Sequence, residues 1–150
     1  MSEPRSPLLV LAVGNPSRGD DALGPALAER LAAAALPGVD VIDDFQLQVE
    51  HALDLVGRRT VIFIDAGIGT PAPFEWRRVV PAPEFLHTSH ALSPEAVLAT
   101  YLRVQGEPPP ESWALCVRGE RFELGEPLSM VARESLEAAW QVLERACRGH

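Results

Sequence analysis

A chain of 150 residues can bury a sizeable core and fits one domain spanning 1–150. Its formal net charge of −8 argues against nucleic acid as the main partner, because neutralising phosphates takes clustered Lys and Arg, and the basic residues here are scattered. Hydrophobic residues make up 47%, yet no apolar run approaches the roughly 20 residues of a membrane span. The polar lead Met1 to Pro7 has no signal-peptide cleavage pattern, so a cytoplasmic protein without a membrane partner is expected.

The first element is Leu8 to Val13, apolar throughout, which reads as a strand buried on both faces. Gly14-Asn15-Pro16 is turn punctuation, and the turn therefore sits at the carboxyl end of a central strand, where open α/β sheets bind ligands. Asp20-Asp21 follows, and Leu23, Ala26, Leu27 and Leu31 then recur at helical spacing. One aspartate suffices as a helix cap. A second beside it repels the first, which is more easily explained if one of them faces a cation or a substrate. The pattern leaves open which of the two does so.

The helix runs through Ala32 to Ala35 and breaks at Pro37-Gly38, and Val39 to Ile42 is a second strand ending in Asp43-Asp44. The stretch from Phe45 to Val56 reads as a loop entering a short helix. Glu50 and His51 there are adjacent, point about 100° apart on a helix, and fit a solvated face better than a shared metal. Thr60 to Asp65 is the third strand, an apolar β-branched run stopping on one carboxylate at the same sheet edge as the Asp20-Asp21 turn. Its plainer alternative is a loop cap.

Phe74 to Val80, bracketed by prolines, reads as an edge strand. It is expected to run antiparallel, since a parallel return needs a dozen or more connecting residues. Ser93-Pro94-Glu95 opens a helix reaching about Gln105, with His90 tethered just ahead of it and His87 the more dispensable of the two. Trp113 to Val117 is the fifth strand, and Ser129 to Cys147 a closing amphipathic helix. Cys116 and Cys147 form no metal-ligand spacing and read as small core residues.

Gly14-Asn15 followed by Asp20-Asp21-Ala22-Leu23-Gly24, then a strand ending in Asp65-Ala66, then His90 ahead of a helix, resembles the hydrogenase maturation endopeptidase family over Leu8 to about Ala146. The resemblance implies a three-layer α/β/α sandwich with a five-stranded mixed sheet in order 2-1-3-5-4 and strand 4 reversed. It implies an endopeptidase that clips a C-terminal extension from the large-subunit precursor of a [NiFe] hydrogenase once nickel is installed. Carried over residue by residue, the metal-binding trio becomes Asp21, Asp65 and His90, which leaves Asp20 as the helix cap, and the acid ending the second strand matches Asp43. Asp21, Asp65 and Asp43 are thereby the catalytic candidates. No tightly bound cofactor is implied; Ni²⁺ arrives with the precursor, and Zn²⁺ or Cd²⁺ is expected to substitute in vitro. Where many relatives carry small residues, Phe45-Gln46-Leu47-Gln48 looks like the branch serving cytoplasmic NAD-reducing hydrogenases, with Gln46 and Gln48 as substrate contacts.

The trio also stands on its chemistry. Two carboxylates and an imidazole suit a divalent ion such as nickel or zinc, with positions left open for a substrate ligand or water. Two other readings compete. A non-proteolytic nickel-binding escort or checkpoint protein would use the same ligands, and no standard protease constellation is present to exclude it. A peptidyl-tRNA hydrolase also opens with an apolar strand and Gly-Asn-Pro, but needs an Asn and a His a few residues on, which this chain lacks.

Overall fold

Leu8–Val13 forms β1, whose first five side chains are all buried, as an unalternating apolar run requires. In the computed structural model, which describes residues 5–82 and 92–150, this strand is flanked on both sides by parallel neighbours. They are β2 (Val39–Asp44) and β3 (Thr60–Gly67). Beyond β3 lies parallel β5 (Glu111–Arg118), and then β4 (Phe74–Val79) antiparallel to it. The order β2-β1-β3-β5-β4 is the expected one, and the short link 68–73 explains the reversal of β4.

Two hydrophobic clusters cover the two faces. On one face α1 (Leu23–Ala34) and α4 (Met130–Arg148) bury Leu27, Leu31, Ala139 and Leu143 against Leu8, Val10, Ile62 and Leu115. On the other, α2 (His51–Asp54) and α3 (Pro94–Gln105) bury Ala52, Val97, Leu98 and Tyr101 against Leu9, Leu11, Val61 and Phe63. Alternate residues along each strand thus serve different layers. Ser93 caps α3 by accepting the Ala96 N–H at 3.1 Å, and Ser129 caps α4 by accepting that of Ala132 at 3.1 Å. Pro94 occupies the first helical position, where its missing N–H costs nothing.

The chain winds from β1 outward to β2, then crosses back over β1 to β3. The carboxyl ends of β1 and β3 therefore flank the crevice where connections leave in opposite directions. Among the described residues, no helix is long and apolar enough to cross a membrane.

Candidate functional site at the carboxyl edge of the sheet

The turn after β1 is shaped by close approach. Gly14 sits at φ +150°, and a Cβ there would strike the Asp21 carbonyl; a Cβ on Gly24 would strike that of Val13. Glycines at both positions let the chain fold back against the strand it has just left. A 3₁₀ turn over Gly19–Ala22 then carries the acidic pair into α1.

Asp20 and Asp21 part company here, though not as cap and ligand. Neither the 3₁₀ turn nor α1 has a side-chain cap, so the expectation that Asp20 caps its own helix is corrected. Its fully buried carboxylate instead reaches across to the link between β5 and α4. There it accepts the backbone N–H of Glu120 at 2.7 Å, of Arg121 at 3.0 Å and of Ser129 at 2.7 Å, and the Ser129 hydroxyl at 2.6 Å. Burial alone works to raise its pKa, but these donors, the Ser129 hydroxyl foremost, more than offset that and hold the carboxyl below its ordinary value. Asp20 thus pins the β1 turn to the opposite end of the chain. Asp21, half-buried, accepts the Asn15 N–H at 2.7 Å through one oxygen and turns toward the crevice.

That crevice has a volume of about 500 Å³ and is bounded by Val13, Gly14 and Asp21 after β1, by Asp65 and Ala66 on β3, by Phe45, Gln46 and Leu47 after β2, and by Arg77, Pro94 and Glu95. Asp21 and Asp65 line it together. Asp65 is open to solvent, and β3 continues two residues past it, so the carboxylate rises from within the strand and not from its last residue. Surrounding protein still desolvates it enough to raise its pKa; the Cys116 hydrogen bond and the Arg77 charge act in the opposite sense, while Asp21 and Glu95 reinforce the rise.

Sequence reasoning missed the neighbours that sheet register supplies. Asp65 pairs with Cys116 on β5, which pairs in turn with Glu75 on β4. Cys116 was expected in the core, but its half-buried thiol is hydrogen-bonded to Asp65 and lies 2.9 Å from the Thr70 hydroxyl. Burial, and then the Asp65 charge, push that thiol up to about 11, which leaves almost no thiolate at neutral pH and rules it out as a ready nucleophile. Cys147, on the buried face of α4, is pushed up to about 12 by burial. Arg77 binds Glu95 at 2.6 Å, tying the edge strand to the start of α3 beside Asp65. The one sequence signal was the i, i+2 pair Glu75 and Arg77, which share a face of β4.

The remaining candidates separate. Gln46 lines the crevice, but Gln48 is exposed and is not among its walls; its backbone N–H instead donates to His51 Nδ1 at 2.9 Å. His51 was expected on a solvated face and is 5% exposed. Since Nδ1 accepts, Nε2 carries the proton and faces Asp44 at 3.2 Å. With Asp44 turned toward α2, strand alternation sends the exposed Asp43 to the opposite face, and it does not line the crevice. His90 and His87 lie outside the described residues. Among the described residues no three His, Cys, Asp or Glu side chains stand close enough to hold a metal, and the carboxylates along the crevice are those of Asp21, Asp65 and Glu95.

This architecture can be set beside known ones. A [NiFe] hydrogenase maturation protease, HycI from Thermococcus kodakarensis, superposes with a TM-score of 0.73 at 20% identity, over 97% of this chain and 94% of that one. The fold is that of the hydrogenase maturation proteases. The hydrogenase maturating endopeptidase HybD from E. coli has a TM-score of 0.71 at 24% identity, over 95% of this chain and 92% of its own. A hydrogenase 3 maturation protease has a TM-score of 0.65 at 26% identity, over 93% and 90%. No family model matches the chain, and no curated protein matches it by sequence. The likeness to the hydrogenase maturation proteases is thus one of backbone, and this chain's own side chains must supply the chemistry.

Proposed function

We propose that this protein is an endopeptidase that removes the C-terminal extension of a [NiFe] hydrogenase large-subunit precursor after nickel insertion. The observation that carries this reading is the pairing of Asp21 and Asp65 in one crevice, at the switch point of a sheet shared with hydrogenase maturation proteases. Carboxylates alone are poor peptide nucleophiles at neutral pH. The anchor is therefore the nickel already seated in the precursor, engaged by Asp21, Asp65 and His90. A water molecule then adds to the scissile carbonyl, passing its proton to a carboxylate, and the C–N bond breaks as the departing amine takes that proton up. Asp21 and Asp65, which line the crevice together, are the carboxylates placed to hold the proton in transit.

The exposed Phe45 and the crevice-lining Gln46 support an assignment of the substrate to a cytoplasmic NAD-reducing hydrogenase, since they present the stretch that carries that resemblance to whatever docks there. Incubating the protein with nickel-loaded precursor and following the mass of the large subunit tests the reading. Loss of the extension's mass is expected. An unchanged mass with a stable complex would instead favour a nickel-binding escort.

A further inference from the structure

Beside the crevice lies a second cavity of about 160 Å³ that shares with it a rim of Val13, Leu47, Asp65, Arg77 and Pro94. Its walls include Leu11, Leu47, Phe63 and Ala114, each no more than 5% exposed, with Glu75 and Cys116 beside them. Sheet register explains the space. Leu11, Phe63, Ala114 and Arg77 form one row across β1, β3, β5 and β4, and the single methyl of Ala114 stands between a phenyl ring and a long guanidinium side chain. Protein interiors close voids of this size wherever side chains can fill them. This one stays open because Ala114 is small, and it opens toward the acidic crevice.

We propose that this cavity is a side-chain subsite that takes one apolar residue flanking the scissile bond of the substrate peptide. The inference rests on the proteolytic reading above and adds a specificity element to it. A cavity of about 150 Å³ lined by aliphatic and aromatic groups holds benzene, so a Leu, Ile, Met or Phe side chain fits and an indole is too large. An acidic side chain would lose its hydration against Leu11, Leu47 and Phe63 and would meet the like charges of Asp65 and Glu75. Asp65 and Arg77 at the rim meet the polar backbone of the same peptide, which sets the occupied residue beside the carboxylate engaged in cleavage. Ala114 fixes the depth.

Nickel-loaded precursors carrying Gly, Ala, Leu, Phe or Asp on either side of the cut, compared by kcat/KM, test this. At one of the two positions Leu or Phe is expected to exceed Gly by at least about tenfold, the usual discrimination of an apolar pocket, with Asp below Gly. Ala114→Leu fills the cavity and should flatten that profile to within about twofold, with a thermal midpoint at or above that of the parent protein; Ala114→Val should flatten it partway and serves if the leucine variant does not fold. A flat profile in the parent protein at both positions, or an unaltered profile in a folded Ala114 variant, would overturn the subsite while leaving the proteolytic reading intact. No cleavage of any precursor by the parent protein would remove both.

Discussion

Asp65→Asn is expected to abolish precursor processing while leaving the protein as stable as its parent or slightly more so. The loss should be at least about a hundredfold, since groups one shell removed from a metal ligand are already worth about 10–100-fold. The stability side follows from linkage. The Asp65 pKa is raised in the folded state, so the protonated form is the one folding favours. That contribution is complete below the ordinary carboxyl pKa of about 3.9 and is lost as pH rises through the folded value. At neutral pH the charged carboxylate therefore costs stability, and asparagine removes the charge without changing the shape. No loop depends on it as one depends on Asp20. Processing kinetics and a thermal melt on the same preparation check both halves: normal processing by Asp65→Asn would withdraw Asp65 from the site, and a collapsed melt would make it structural.

Asp20→Ala should do the reverse and unfold the protein at temperatures its parent survives. Four donors from the β5–α4 link converge on this buried carboxylate, and truncation leaves them all unpaired. Breaking a buried, hydrogen-bonded charge costs about 3–5 kcal/mol, which for a domain of this size lowers the melting midpoint by roughly 6–20 °C. Asp20→Asn also fails to rescue, because its amide nitrogen would point a donor at donors. This corrects the expectation from capping preference alone, under which asparagine would be tolerated. The pH dependence has its own sign. The folded pKa of Asp20 is depressed, so its stabilisation is complete above about pH 3.9 and is lost as pH falls through the folded value. The parent protein should lose that increment in acid and Asp20→Asn should have none to lose; melting curves from pH 2 to 7 on both proteins measure it.

These two aspartates mark how far the sequence could be read. The buried strands, the glycine turn, the reversal of β4 and the placement of Asp21 and Asp65 at one sheet edge all follow from local pattern. Apolar runs, strand-ending acids and loop lengths are short-range signals. Asp20 was misread because its partners lie about a hundred residues along the chain, and the local capping preference was the only signal in view. His51 was misread because a four-residue helix has too little periodicity to reveal which face is buried. Cys116, Arg77 and Ala114 gained their places from lateral register across β3, β5 and β4, which depends on how far each strand slides against the next and leaves no trace in spacing. Gln46 and Gln48 parted for a related reason: the loop after β2 turns only one of them inward.

Under the proposed function, the nickel carried by the substrate is what the crevice recognises. The most direct measurement of this is the mass of the large-subunit precursor after incubation with this protein, with and without nickel. The nickel-loaded precursor should lose its extension, and nickel-free precursor kept with a strong chelator should stay at full length. Efficient cleavage of the nickel-free precursor in the presence of that chelator would contradict it.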